Sequence, residues 1–97
     1  MQGEIFINLQ HAEISRFYDI IIKMFFFDHL PPHFHAEYGE YKAQINIQTG
    51  EIIEVKLPRR ALRLVQDWAE LHREELNENY TESLKQGGVI KKIEPLK

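Results

Sequence analysis

Residues 28–38 of the chain read DHLPPHFHAEY, and the order of the folding elements around them follows from this stretch. Each of the two prolines, Pro31 and Pro32, biases the residue before it toward extended geometry, so the chain should leave a turn already shaped as a strand. That strand is predicted to run from His33 to Tyr38. Because alternate residues of a strand point to opposite faces, its polar side chains should share one face, and they are His33, His35 and Glu37.

Strand-like runs lie on both sides of this stretch. Before it, residues 17–27 are rich in β-branched and aromatic side chains and contain neither glycine nor proline, which predicts one strand that is apolar on both faces. After it, Gly39-Glu40 is a two-residue connection to a third strand over residues 41–48, where inward and outward side chains alternate. A further turn leads to a fourth short run, residues 52–55. The pattern predicts an antiparallel meander of three to four strands.

One long amphipathic helix is predicted to follow the meander. Pro58 suits the first turn of a helix because its missing N–H is not needed there. Apolar residues then recur at helical spacing as far as about Tyr80, or on to Lys85. The glycine pair at 87 and 88 should end the helix, and residues 89–93 suit a short last strand.

The helix and the meander together predict an α+β fold. A helix with half of its surface apolar needs a sheet to cover, and the natural partner is the inward face of the meander. We therefore expect a single two-layer domain over residues 14–97, with residues 1–13 as an N-terminal extension. The inward face should be formed by Phe34, Ala36, Tyr38, Tyr41, Ala43, Ile45 and Ile47.

The composition excludes several classes of site and environment. The chain has 97 residues, 43% hydrophobic and 28% charged, as in an ordinary globular domain. Its net charge of −3 provides no global positive field toward nucleic acid or an anionic membrane, although a local basic patch is still allowed. Without cysteine, it forms neither a disulfide nor a thiolate zinc site. No apolar run approaches the roughly 20 residues that span a bilayer, and no signal peptide is evident, so we expect a cytoplasmic protein.

The histidine-rich strand supports three interpretations. The first is a site for a divalent metal such as zinc or nickel, whose candidate ligands are His29, His33, His35 and Glu37. The second is metal-free acid–base chemistry on a phosphodiester, as in a small ribonuclease, whose candidate residues are His33, His35 and Lys42. The third is that the histidines are polar residues of a half-exposed sheet, or become buried in an oligomer interface.

Two surfaces are candidate interfaces. Large apolar side chains on the sheet face away from the helix predict a partner surface, and they are Ile21, Phe25 and Phe27. A basic cluster at the start of the helix is a candidate contact for nucleic-acid phosphates, and it consists of Lys56, Arg59, Arg60 and Arg63. Acidic residues follow closely, so the competing interpretation is a solvated helix face on which Arg63 pairs with Asp67.

His72 falls near the middle of the apolar half of the predicted helix. A buried polar group needs a hydrogen-bond partner, and Tyr38 or Tyr41 on the facing side of the sheet is the candidate. We predict that His72 is a hydrogen-bonded histidine of the core and that it takes no part in the cluster on the other sheet face.

Nearly the whole chain, from Ile14 to about Leu96, resembles a family of small prokaryotic proteins classed as domain of unknown function 4160. The resemblance rests on ISRFY at 14–18, the DHLPPHFHAEY core, the turn at 49–51, LP at 57–58 with RA at 60–61, and Trp68 and His72 on the helix. It implies no established activity. It does imply a gene neighbourhood shared with a second small protein, as in two-gene toxin–antitoxin modules.

Our leading prediction of function is a small non-enzymatic binding or regulatory module of toxin–antitoxin type. It should act as a homo-oligomer or with a small protein partner, with nucleic acid as a further candidate partner and no membrane. The alternatives are a histidine-based or metal-assisted ribonuclease, and a metal-binding module without catalysis.

Overall fold

A computed structural model describes residues 10–97 as an antiparallel sheet with two helices, which confirms the α+β class. The strands pair in chain order, so the sheet is the predicted meander, with five strands in place of three or four. They are β1 (His11–Phe17), β2 (Ile20–Phe25), β3 (His33–Tyr38), β4 (Tyr41–Asn46) and β5 (Ile52–Glu54). Strand β1 thus begins inside the stretch that we assigned to an N-terminal extension, and residues 1–9 lie outside the described part.

The single strand predicted over residues 17–27 is wrong, because the run contains a hairpin turn. Tyr18 and Asp19 have φ angles of 49° and 64°, so both adopt the left-handed conformation of a two-residue type I′ turn. Phe17 at the end of β1 consequently pairs with Ile20 at the start of β2. Neither turn residue is a glycine, and the continuous apolar run hid the boundary.

The single long helix is also wrong. The structure has α1 (Arg59–Leu71) and α2 (Arg73–Ser83), separated by His72 with φ −118° and ψ 26°. Glu74 and Glu75 lie in the first turn of α2, where the helix dipole favours negative charge. The side chain of Glu75 also accepts a hydrogen bond from His72 Nδ1 at 2.5 Å. These interactions favour a new helix start at a point where the apolar spacing alone predicts continuation.

The core lies between one face of the sheet and the two helices. Trp68 of α1 is fully buried, and its ring packs against Phe17 of β1 and Phe34 of β3 at centroid distances of 5.4 and 5.8 Å. The predicted inward residues Ala43, Ile45 and Ile47 are buried, but Tyr41 beside the β3–β4 turn is 37% exposed. The other largest core residues are Ile14, Ile20, Ile22, Met24, Val65 and Leu76.

The residues after α2 turn at 84–87 and continue as an irregular tail without the predicted last strand. Ile93 makes a single backbone hydrogen bond to the carbonyl of Ile14, of 2.8 Å. The side-chain amide of Asn79 bonds both the N–H and the carbonyl of Lys91, each at 2.9 Å, and Trp68 Nε1 donates to the carbonyl of Glu94. Side chains therefore hold the tail in place of a strand ladder.

Neither helix in the described part of the chain is long and apolar enough to cross a membrane.

Candidate metal centre

The turn between β2 and β3 is held against helix α2. The backbone N–H of Phe27 donates to the carbonyl of Ser83 at 2.9 Å, and the hydroxyl of Tyr80 donates to the carbonyl of His29 at 3.0 Å. Phe27 itself has a left-handed φ of 57°, and the Leu30–Pro31 peptide bond is cis. The two hydrogen bonds to α2 hold the turn beside the start of β3, where Asp28 meets the histidines of that strand.

Three side chains converge at this point. The Oδ2 atom of Asp28 lies 3.0 Å from Nε2 of His33 and 3.1 Å from Nε2 of His35. One donor atom from each of the three residues lies within 4.8 Å of the other two. The side chain of His33 is fully buried, and those of Asp28 and His35 are 19% and 20% exposed. The group thus has a closed side toward the core and an accessible side.

The hydrogen bonds of His33 determine where its protons are. Its Nδ1 lies 2.7 Å from the carbonyl oxygen of Pro31, and a carbonyl can only accept, so Nδ1 carries a hydrogen. In a neutral imidazole Nε2 would then be a lone pair directed at a carboxylate oxygen. That contact is repulsive unless a cation lies between the two atoms, either the proton of an imidazolium or a metal ion.

The pKa values of Asp28 and His35 are both lowered. Burial alone would raise the pKa of Asp28, but hydrogen bonds from His35 and the His29 backbone, together with the charge and hydrogen bond of His33, lower it overall. Burial is the main cause of the lowered pKa of His35, and its hydrogen bond to Asp28 offsets only part of that effect. Both shifts favour the forms that bind metals, an ionised carboxylate and a neutral imidazole.

The predicted ligand Glu37 is not part of the group. It shares the face of β3 with His35, but its Oε2 pairs with Nζ of Lys23 on the neighbouring strand at 3.1 Å. The carboxylate of the site comes from Asp28, which we did not predict. The sequence does contain a signal for it, because Asp28 is an acidic residue at the start of the turn that contains the two prolines. Strand periodicity predicts which residues share a face, but it does not predict where the side chain of a turn residue lies.

His29 lies next to the group and outside it. Its ring stacks on His33 at 4.9 Å between centroids, its Nδ1 lies 3.0 Å from the carbonyl of Leu30, and its Nε2 lies 3.6 Å from Oδ1 of Asp28. The side chain is 64% exposed. Of the predicted ligands, the structure therefore brings together His33 and His35, with His29 beside them.

A comparison with protein families matches residues 19–81 to a model described as a domain of unknown function, DUF4160. The chain belongs to this family. The match confirms the resemblance, and it spans the segment from β2 to α2 that contains all three converging residues and Tyr80. No curated protein and no solved structure matches the chain.

The remaining predicted residues of this DUF4160 domain lie apart from the group. Lys42 is exposed and faces Glu37 across the β3–β4 pair. The predicted nucleic-acid residues Lys56, Arg59, Arg60 and Arg63 are all exposed around the start of α1.

Two predicted contacts of the helices are not formed. Among the described residues, Arg63 and Asp67 form no ion pair within 4.0 Å, so that pairing is wrong. His72 bonds Glu75 and neither of the two tyrosines, so its predicted partner is wrong as well.

Two of the three predicted interface residues, Phe25 and Phe27, line a cleft beside the three converging side chains, whereas Ile21 lies opposite Glu37 in the β2–β3 register. Ile21 and Phe25 are partly buried, and Phe27 is 49% exposed. The ring of Phe25 lies between those of His11 and His35, at centroid distances of 5.2 and 4.5 Å. An open cleft of about 430 Å³ adjoins the group. It is lined by Phe25, Phe26, Phe27, Asp28, His29, His35 and Gln44.

Proposed function

We propose that this protein binds one divalent transition-metal ion through Asp28, His33 and His35. The observation that carries the proposal is the contact of Asp28 Oδ2 with two imidazole nitrogens at 3.0 and 3.1 Å, one of which has a lone pair in the neutral ring. Two ligand atoms about 2.1 Å from an ion lie about 3.0 Å apart in octahedral geometry and about 3.4 Å apart in tetrahedral geometry. The spacing thus suits an ion that replaces the bridging protons.

The environment of His33 supports the same assignment. Histidines that bind metals usually donate their other ring N–H to a carbonyl or carboxylate, which sets the tautomer and orients the ring. His33 makes this bond to Pro31 and is fully enclosed. Two imidazoles and one carboxylate suit zinc, nickel or iron(II), and hard cations such as Mg²⁺ favour sites made of oxygen alone.

Calorimetric titration of the chelator-treated protein with Zn²⁺ or Ni²⁺ tests the proposal. We expect one equivalent to bind, with release of the proton that lies between His33 Nε2 and Asp28. Asp28→Asn and His35→Ala should each weaken binding at least about tenfold, the lower end of what even an outer-shell partner contributes. Circular dichroism should show that both variants are folded.

Glu37→Gln is the matched control, because Glu37 was the carboxylate predicted from the sequence and lies on the same strand face. It should bind the metal like the wild type. Binding that is absent, or that is equal in Asp28→Asn and the wild type, would leave a buried imidazolium–carboxylate pair as the explanation of the contacts.

Metal-assisted hydrolysis is a second candidate function. Only three protein ligands converge within the described part of the chain, and catalytic zinc sites characteristically combine three protein ligands with an open position for water. RNA is the substrate to test first, since a ribonuclease was the enzymatic prediction. Cleavage by the metal-loaded wild type that is lost in Asp28→Asn would support it.

The module of toxin–antitoxin type in the cytoplasm stays a prediction. The exposed side chain of Phe27 and the exposed basic cluster around the start of α1 are the surfaces that support protein and nucleic-acid partners.

A further inference from the structure

We propose that the metal-loaded site binds a small aromatic carboxylate, whose anionic group completes the coordination of the ion and whose ring lies against Phe25, Phe26 and Phe27. This inference rests on the proposed metal binding and adds to it a ligand class. It follows from where the open coordination positions point, what lines the space in front of them and which charge the loaded site carries.

The open positions of the ion must face the cleft. His33 approaches from the buried side, with its side chain enclosed, and so leaves no room for a ligand there. Asp28 and His35 are each about one-fifth exposed, and both also line the cleft of about 430 Å³. With three protein ligands, the ion retains at least one position for an external group, and that position is on the cleft side.

The lining of the cleft is apolar on one side. Three consecutive phenylalanines contribute to it, the last residue of β2 and the two that follow it, and the ring of Phe25 packs on that of His35 at 4.5 Å between centroids. Phe27 is half exposed. The volume falls within the range of about 300–1,000 Å³ that is usual for small-molecule sites. A ring of six carbons attached to the coordinating group would cover these side chains.

The charge of the loaded site favours an anion. A divalent ion and the Asp28 carboxylate sum to +1, and the neighbouring Glu37 carboxylate is compensated by Lys23 at 3.1 Å. The imidazoles of His33 and His35 bind the metal as neutral ligands. A carboxylate therefore neutralises the site, and an amine of the same shape does not.

Titration of the cobalt(II)-loaded protein with benzoate and with acetate tests the inference, because the visible spectrum of cobalt(II) reports a change in its coordination. Both anions should change the spectrum. Benzoate should bind at least about tenfold more tightly than acetate, since its ring removes apolar surface from water. Calorimetry with the metal-free protein should detect binding of neither anion.

Two variants separate the apolar contribution from the coordination. Phe27→Asn should weaken the binding of benzoate and leave the binding of acetate unchanged, because it removes a ring that lines the cleft and keeps the metal ligands. The variant should fold, since asparagine tolerates the left-handed backbone at this position. Leu30→Asn is the control, since Leu30 is 72% exposed in the same turn and does not line the cleft.

The outcomes distinguish this inference from the metal site itself. Failure to take up cobalt would overturn the proposed function and this inference together. Cobalt uptake with a spectrum that neither anion changes would overturn the ligand site alone. Equal affinities for benzoate and acetate would overturn the role of the phenylalanines.

Discussion

The hydroxyl of Tyr80 donates a hydrogen bond to the backbone carbonyl of His29 across 3.0 Å and thereby fastens the ligand-bearing turn to helix α2. The ring of Tyr80 also packs toward His33, at 6.2 Å between centroids. Burial raises the pKa of Tyr80, and the charge of Asp28 raises it further, so the hydroxyl remains a donor at neutral pH. Helix α2 thus contributes no ligand and still determines where Asp28 lies.

Tyr80→Phe should weaken metal binding without unfolding the protein. The variant keeps the buried ring and loses one hydrogen bond, so we expect the free energy of unfolding to fall by about 1 kcal/mol. The turn becomes less constrained, and the metal dissociation constant should rise by up to about tenfold. Calorimetry and chemical denaturation measure the two effects, with the exposed Tyr41→Phe as the control. Unchanged metal affinity in Tyr80→Phe would show that the turn holds its position without the Tyr80 hydroxyl.

The sheet and the helical region could be predicted because their periodicities are local. The alternation in β3 and β4 and the apolar spacing of α1 appear directly in the sequence. The turn at Tyr18 and Asp19 could not be predicted in the same way, because two residues other than glycine adopt left-handed backbone only where strand pairing favours it. The helix break at His72 likewise depends on the interaction of a single side chain with Glu75.

The candidate site could be predicted in part for a related reason. His33 and His35 are two residues apart on one strand, so their proximity follows from β geometry. Asp28 reaches them through the path of the turn, which contacts with Tyr80 and Ser83 determine. Glu37 appeared the better ligand because it satisfies the strand alternation, but Lys23 on β2 already compensates its charge.

Gln44 is predicted to orient His35 for metal binding. It lies directly opposite His35 in the β3–β4 register, and its Nε2 donates to Glu54 at 3.0 Å. Its Oε1 is buried and accepts no hydrogen bond from the residues that the structure describes. A neutral His35 that binds metal through Nε2 carries its hydrogen on Nδ1, and Gln44 Oε1 is the unused acceptor on the adjacent strand.

Gln44→Leu should therefore weaken metal binding and change the stability of the metal-free protein only slightly. We expect the metal dissociation constant to rise about tenfold. The metal-free protein should lose no more than the exposed bond to Glu54, about 1 kcal/mol or less. Gln48→Leu is the control, because Gln48 is exposed and lies just beyond the end of the same strand. Equal affinities in Gln44→Leu and the wild type would exclude the role.

The contribution of His35 to the stability of the metal-free protein should fall as the pH decreases below about 6.5, the ordinary pKa of histidine. The pKa of His35 is lowered in the folded state, so His35 of the unfolded chain becomes protonated at a higher pH than His35 of the folded protein. This protonation favours the unfolded chain and lowers the free energy of unfolding. Asp28 acts in the same direction only below its ordinary pKa of 3.8. When the free energy of unfolding is measured between pH 5 and 8, it should depend less steeply on pH in His35→Gln than in the wild type. His11→Gln, an exposed histidine of β1, should keep the wild-type slope.

Phe27 is predicted to mediate self-association. Its side chain is 49% exposed on the border of the cleft, and Leu30 in the same turn is 72% exposed, so the turn presents two large apolar side chains to solvent. Phe27→Asn removes the ring and keeps a residue that tolerates the φ of 57°. We expect light scattering to show a lower average mass for this variant than for the wild type, with an unchanged circular dichroism spectrum. Val89→Asn, which replaces an exposed apolar residue of the C-terminal tail, should leave the mass unaltered. A wild type that is already monomeric at high concentration would rule out self-association through this surface.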